Sequence, residues 1–214
     1  MHIEFNLSNK KLINNKIEKI EKFWREGLDL KDDKFLGIAG STFRAYRGHK
    51  YPPSKTYKAW VNTFFEDNKL KKELSKCNDR NTFLLIHKKI ADDLEDFFKT
   101  NNPNSQKDGG LSISKKFKIV DLFIKYLCLS KKNRNKFKRL YYFCNIPIDK
   151  WSLLALKKHV KGIVLSNNPS MGDIKDEESY FIVQKLIFGV TQTINIPNLY
   201  FDIYAWEMKN ELIE

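Results

Sequence analysis

Asp149 lies where the sequence can hold a carboxylate rigidly enough for chemistry. It follows Pro147, which forces the residue before it out of helical geometry, and it precedes the apolar stretch 150–164, which is predicted to be a helix. Asp is favoured at a helix N-terminus because its side chain accepts backbone N–H hydrogen bonds. One interpretation is therefore that Asp149 serves only as a structural cap of this helix. The other is a fixed carboxylate that can orient or deprotonate water, or stabilise a positive charge that develops on a bound substrate.

Two basic segments are candidates for contact with a polyanion. The stretch 41–51 interleaves hydroxyls and aromatics with two of the six arginines of the chain, and the stretch 131–139 holds six basic residues in nine. Arginine suits phosphate and base contacts, whereas structural ion pairs and a solvated face are the alternatives. The residues predicted to bind nucleic acid are Arg44, Arg47, Lys131, Lys132, Arg134, Lys136 and Arg139.

The overall charge supports a polyanionic partner. The 214-residue chain has 39 Lys and Arg against 26 Asp and Glu, a net charge of +13. Such an excess favours nucleic acid through counterion release, with a generic basic surface or an anionic membrane surface as alternatives. The 42 % hydrophobic content can fill a core. No apolar run approaches the roughly 18–20 residues of a membrane span, and the N-terminus does not resemble a signal peptide, so a cytoplasmic protein is expected.

The pattern of apolar residues and turn signals predicts an all-α fold. Helices are expected over 11–24, 54–65, from 81 or 82 to 98, 115–129, 150–164, 176–188 and 197–212, with a loop-rich region over 27–53 and an exposed loop over 100–110. The expected organisation is a helical lobe over 1–104 and a second lobe over 105–214, with a cleft between them. The last helix is expected to pack back on the first lobe. Cys77, Cys128 and Cys144 have no ligand spacing, so neither a zinc site nor any other metal site is predicted.

The order of these features resembles the helix-hairpin-helix superfamily of DNA glycosylases, closest to its archaeal 8-oxoguanine glycosylase branch. Gly109-Gly110 precedes a Lys-rich helix start that Ser114 is expected to cap, then come an apolar helix, the basic segment and Pro147-Ile148-Asp149. The aromatic stretch 199–207 is similar to the last helix of such domains. The chain has no Leu-Pro-Gly-Val-Gly run, the usual hairpin sequence of that family.

The resemblance implies a function and roles for particular residues. Asp149 would be the essential carboxylate, and Lys115 or Lys116 would occupy the position of the catalytic lysine, with attack by water favoured over a Schiff base. The implied activity is hydrolytic removal of a damaged or modified base from double-stranded DNA, as in base-excision repair, without a cofactor. A flipped base needs a stacking pocket. The residues proposed for it are Phe43, Tyr46, Trp151 and Trp206, although core packing is the alternative for each.

Two other classes of function remain open at this point. One is a nucleic-acid-binding protein without enzymatic activity. The other is a magnesium-dependent nuclease, because Asp202 followed by Glu207-Met208-Lys209 imitates the Asp and Glu-x-Lys set of many nucleases. In a nuclease of that type the two acids lie on separate strands, whereas this segment is predicted to be helical.

Overall fold

The computed structural model describes residue 21 and residues 38–66 and 68–209. Over this part of the chain the prediction of a mainly helical protein is confirmed, and no β-strand is present apart from an isolated bridge between His49 and Asn104. The helices are α1 (Pro53–Glu66), α2 (Asn68–Lys76), α3 (Arg80–Asn101), α4 (Ile113–Leu129), α5 (Arg134–Phe137), α6 (Lys150–His159), α7 (Glu177–Thr193) and α8 (Asn198–Glu207). Three 3-10 turns cover Gly40–Ala45, Lys138–Tyr142 and Met171–Asp173.

Several helix boundaries differ from the predicted ones for local reasons. Helix α3 begins earlier, because the Asp79 side chain accepts the N–H of Thr82 at 2.9 Å and so caps the helix. The N-cap of α4 is Ser112 and not Ser114, which lies inside the helix. Helix α6 ends at His159, because Val160 adopts an extended conformation. The predicted helix 11–24 lies outside the described residues except for residue 21, and so does the end of the helix predicted over 197–212.

Helix α4 lies at the centre of the packing. It packs against α3, and ten of its residues are buried. Phe123 of α4 meets Trp60 and Phe64 of α1 edge-on, with ring centroids 4.9 and 4.8 Å apart. Burying aromatic rings in this geometry contributes about 0.5–1.5 kcal/mol per pair beyond the burial of their area. The described residues share one continuous hydrophobic core, with members on both sides of residue 104.

A buried polar network holds the segment that leads to α6. The carboxylate of Asp121 accepts a hydrogen bond from the Tyr180 hydroxyl at 2.9 Å and lies 2.8 Å from Nε2 of His87. The Gln184 amide, next to this cluster, accepts the N–H of Ile146 at 3.1 Å and donates to its carbonyl at 2.7 Å. Buried polar groups paired in this way specify a single arrangement. The backbone three residues before Asp149 is therefore fixed to α4 and α7.

Candidate active site at the start of helix α6

Asp149 is the N-cap of α6. Its Oδ1 accepts the N–H groups of Trp151 and Ser152 at 2.9 and 3.0 Å, and the Ser152 hydroxyl accepts the Asp149 N–H at 2.8 Å. This reciprocal capping box fixes the carboxylate relative to the helix. No described residue forms a hydrogen bond with Oδ2. The cap thus uses one carboxylate oxygen and leaves the other available.

Asp149 lines a pocket of about 500 Å³, here called the Asp149 pocket. Its walls come from the N-terminal part of the described chain, from helices α4 and α8, and from the segment before α6. The lining residues are Ala39, Ser41, Thr42, Lys118, Leu122, Lys125, Tyr126, Pro147, Asp149, Asp202 and Trp206. The pocket therefore places one carboxylate of a helix cap beside two lysines, a second aspartate and an exposed indole.

The lysines of the pocket come from one face of α4. Lys118, Leu122 and Lys125 follow one another at spacings of four and three residues, which places them on the same side of a helix. Within the pocket, the Nζ of Lys125 lies 2.5 Å from the Oδ2 of Asp202 on α8. Asp202 is 1 % exposed and the Lys125 side chain 15 %. This ion pair ties α4 to α8 behind Asp149.

The surroundings of the pocket raise the pKa of both Lys125 and Asp149. Burial and the nearby negative charge of Asp202 raise the pKa of Asp149, although the backbone N–H of Ser152 and the charge of Lys118 act in the opposite direction. Burial alone would lower the pKa of Lys125, but the Asp202 carboxylate outweighs it and the pKa is raised overall. Lys125 therefore stays an ammonium, and Asp149 holds a proton more tightly than an exposed aspartate does.

Lys116, one of the two lysines proposed as catalytic, points into a different cluster. Its side chain is 2 % exposed, and its ammonium lies 2.8 Å from Glu95, 3.3 Å from Glu177 and 3.4 Å from Asp92. Burial lowers its pKa, but the hydrogen bond and charge of Glu95, with those of Glu177, outweigh burial and raise it. The Lys116 amine is thus a charged structural group that joins α3, α4 and α7.

Lys115, the other proposed lysine, lies beside the tyrosine of the loop before α1. Its Nζ is 5.2 Å from the centre of the Tyr46 ring, and the Tyr46 hydroxyl donates to the Lys115 carbonyl at 3.0 Å. Burial and the charge of Lys107 lower its pKa. Lys115 is three residues, or about 4.5 Å of helix rise, before Lys118. It lies one turn away from the lysines that line the Asp149 pocket.

The four aromatic residues proposed for a base pocket separate into two groups. Trp206 lines the Asp149 pocket and is 48 % exposed, and the Trp151 ring lies 6.5 Å from it at an angle of 62°. Phe43 and Tyr46 are core residues, 7 % and 5 % exposed, with ring centroids 5.4 Å apart. Their burial follows from packing on α1, where Phe43 contacts Tyr57. Trp206 is thus the aromatic residue of this set with an open face in the pocket.

The basic residues also separate. Arg44 and Arg47 are exposed in and just after the 3-10 turn Gly40–Ala45, whose residues Ser41 and Thr42 line the Asp149 pocket. The segment 131–139 forms the turn after α4, helix α5 and the start of the next 3-10 turn. It borders a second pocket of about 460 Å³. Its lining residues are Glu21, Cys128, Arg134, Lys138, Arg139, Tyr141, Tyr142 and Tyr200, and the tyrosines among them were not selected from the sequence.

The residues considered for a magnesium-dependent nuclease lie on one helix. Asp202 and Glu207 both belong to α8, and Asp202 is paired with Lys125. Within residues 38–66 and 68–209, no group of three His, Cys, Asp or Glu side chains is arranged to hold a metal ion. The geometry therefore gives this alternative no support beyond the order of residues.

All three cysteines are buried thiols. No helix within the described part of the chain is both long and apolar enough to cross a bilayer. The chain matches no protein-family model, no curated protein and no solved structure.

Proposed function

We propose that the protein is a DNA glycosylase, which admits a damaged or modified base into the Asp149 pocket and hydrolyses its N-glycosidic bond without a metal ion. The observation that carries this proposal is the position of Asp149. Its carboxylate is fixed by a capping box, one oxygen is not used by the cap, and the residue lines a pocket with two lysines and an exposed tryptophan.

Asp149 supplies the charge that bond cleavage requires. When an N-glycosidic bond breaks, positive charge develops on the sugar, and a pre-positioned carboxylate stabilises it. Oδ1 is held by Trp151 and Ser152, which leaves Oδ2 for contact with the sugar or a water molecule bound in the pocket. The raised pKa of Asp149 also suits a general base, because the affinity for the proton of the attacking water is greater.

The lysines of the pocket serve DNA rather than the covalent chemistry. Lys118 and Lys125 bring positive charge next to Asp149, where the phosphates that flank a flipped nucleotide need it. Lys125 is held as an ammonium by Asp202, and Lys116 by three carboxylates, so neither amine is a nucleophile. Water is therefore the attacking group. Lys115, whose pKa is lowered, is the remaining amine for the alternative, Schiff-base route.

Trp206 provides the surface on which the extruded base stacks. Its indole is half exposed in the pocket, and Tyr126 lines the same space. The volume of about 500 Å³ lies within the range of roughly 300–1,000 Å³ that is typical of small-ligand sites. A nucleobase with part of its sugar fits such a space.

The proposal includes the arrangement of the chain around the pocket. Residues 39–42 form one wall, and residues of α4, α8 and the segment before α6 form the others. We take this pocket to be the cleft between a lobe over 1–104 and a lobe over 105–214, in the manner of helix-hairpin-helix glycosylases. Arg44 and Arg47, beside the first wall, then contact the DNA at the mouth of the cleft.

The test is base excision in the presence of EDTA. Purified protein is incubated with a panel of duplexes that each carry one altered base, and alkali-labile abasic sites are counted. A glycosylase produces them without metal. Binding without excision across the panel would favour the non-enzymatic DNA-binding protein, for which the basic segment 131–139 is the supporting observation. Strand nicks that require magnesium would favour the nuclease.

A further inference from the structure

The 3-10 turn Lys138–Tyr142 arranges charge and aromatic rings in two parallel rows. Residues three apart lie above one another in a 3-10 helix, so Lys138 aligns with Tyr141 and Arg139 with Tyr142. Leu140, the residue between the rows, is 1 % exposed and anchors the turn in the core. Both rows therefore point away from the core, toward the pocket of about 460 Å³.

Three tyrosine rings form a partly open cluster in which Tyr141 and Tyr142 are tilted by 31° to each other. The centroids of Tyr141 and Tyr142 are 4.1 Å apart, and the ring of Tyr200 from α8 lies 6.4 Å from Tyr141 and within 12° of parallel to it. Tyr142 is 52 % exposed, whereas Tyr200 is 8 % exposed. The inner rings thus support an outer ring whose face is open to a planar ligand.

The cations of this pocket are suited to a phosphate. Arg134 from α5 joins Lys138 and Arg139, and the Arg139 guanidinium is oriented by the Asn78 side chain at 3.1 Å. Glu21 is the one acidic residue among the described lining residues. Burial and the hydrogen bond with Tyr142 raise the pKa of Tyr141, so its phenol stays uncharged beside the cations. The pocket combines an aromatic platform with positive charge.

We infer that this Tyr142 pocket, formed by Arg134, Lys138, Arg139, Tyr141, Tyr142 and Tyr200, binds an unstacked nucleotide, with the base on Tyr142 and the phosphate on Arg139 and Lys138. Stacking of bases on aromatic rings beside a cationic groove is the usual chemistry of single-strand recognition. The inference shares with the proposed function the premise that the chain binds nucleic acid. It depends on none of the residues that line the Asp149 pocket.

A neighbouring pocket favours a nucleotide within a strand over a free one. Tyr142 also borders a space of about 320 Å³ whose lining includes Gln192, Asn195 and Phe188. A second base has room on that side of the Tyr142 ring, with side-chain amides near its edge. A strand that crosses Tyr142 gains both spaces, whereas a mononucleotide gains one.

The experiment measures binding of a fluorescein-labelled single-stranded 12-mer of thymidylate and of a matched duplex to the full chain by anisotropy. Tyr142→Ala should weaken single-strand binding about tenfold, since a stacked base contributes roughly 1–3 kcal/mol, and should change duplex binding less than about twofold. Tyr142→Phe keeps the ring and should bind as the wild type does. Arg139→Gln, which removes a cation of the pocket, should also weaken single-strand binding, and Lys175→Gln, at an exposed position just before α7, controls for its loss of one positive charge.

Competition with unlabelled thymidine monophosphate distinguishes the two sources of the nucleotide. Displacement of the 12-mer only at millimolar monophosphate supports a strand, and displacement at micromolar monophosphate that Tyr142→Ala abolishes supports a free nucleotide at the same site. Absence of single-strand binding, or equal losses in Tyr142→Ala and Lys175→Gln, would overturn the inference. Asp149→Asn protein should still bind the 12-mer, so failure of excision and failure of this site are separate results.

Discussion

The ammonium of Lys125 and the carboxylate of Asp202 form an ion pair inside the pocket that Asp149 lines, with 2.5 Å between Nζ and Oδ2. The two residues are 77 residues apart in the sequence, and α4 and α8 meet through this pair. Asp202 holds Lys125 as an ammonium, and the negative charge of Asp202 also raises the pKa of Asp149. The stability of the fold and the acidity of the site are therefore linked through the same two side chains.

Loss of Lys125 should destabilise the protein. Lys125→Met leaves Asp202 buried without its partner, which costs about 3 kcal/mol of the free energy of unfolding. Urea denaturation measures the loss, and the double variant Lys125→Met, Asp202→Asn should recover part of it. Lys118→Met, on the same face of α4, should change stability by less than about 0.5 kcal/mol. Equal losses from both lysines would contradict the role of the pair.

The rate of excision should fall at acid pH with a midpoint above that of a free aspartate. Asp149 must be deprotonated to act, and burial and Asp202 raise its pKa. As the pH is lowered, kcat/KM should therefore decline with a midpoint above about 3.9, the reference pKa of Asp. Asp202→Asn removes one cause of the increase and should move the midpoint to lower pH. An acid limb that does not move in this variant would contradict the proposed coupling.

The raised pKa of Asp149 also means that its charged form destabilises the folded protein at neutral pH. Folding disfavours the charged form of Asp149, so above the unfolded pKa its charge makes an unfavourable contribution that is relieved as the pH falls through the folded pKa. Asp149→Asn abolishes this term. The destabilisation caused by Asp149→Asn, measured by urea denaturation, should therefore be smaller at pH 7 than at pH 4.

His159 should contribute to acid sensitivity. Burial, with a contribution from Lys158, lowers its pKa to about 4, and its Nε2 lies 3.0 Å from the Tyr204 hydroxyl between α6 and α8. A depressed pKa stabilises the fold above the unfolded value of about 6.5, and this stability is lost as the pH falls toward the folded value. Urea denaturation at pH 7.5 and pH 4.5 should show a loss about 2 kcal/mol larger in the wild type than in His159→Gln. Identical pH profiles would contradict this role.

DNA affinity should fall steeply with salt, and the basic segment should account for much of the slope. Replacement of Lys131, Lys132, Arg134, Lys136, Lys138 and Arg139 by Gln should flatten the dependence of log affinity on log salt by about one unit for each phosphate contact removed. Single replacements should have smaller effects. If DNA binding is unchanged when all six residues are replaced, these residues form only a solvated face.

Local sequence signals predicted much of the secondary structure and the position of Asp149. Helix caps and apolar spacing act over a few residues, so α1, α3 and α4 were predicted within three residues of their bounds, whereas α7 continues five residues beyond its predicted end at 188. Helix α2 was not predicted, because the stretch 68–76 is dominated by lysines and has only two leucines. Asp149 was identified because a proline and a helix start lie next to it.

Contacts between distant elements could not be predicted from the same signals. The seven-residue spacing of Lys118 and Lys125 places both on one face of a mostly apolar helix, but their proximity to Asp202 depends on how α8 packs. The stacking of Tyr141 on Tyr200 likewise joins segments that are far apart in sequence. The ion pairs of Lys116 could not be predicted for the same reason, because the three carboxylates that surround its ammonium come from α3 and α7.

The most direct test of the central claim is single-turnover base excision by Asp149→Asn protein. This change keeps the size of the side chain and much of its capping ability but removes the charge. Ser152→Ala, which breaks the capping box and keeps the carboxylate, is the matched control. With the altered base that wild type excises, at saturating protein, Asp149→Asn should bind the duplex normally and excise at least a hundredfold more slowly, whereas Ser152→Ala should lose stability and keep most of the rate. Excision at the wild-type rate by folded Asp149→Asn protein would contradict the account.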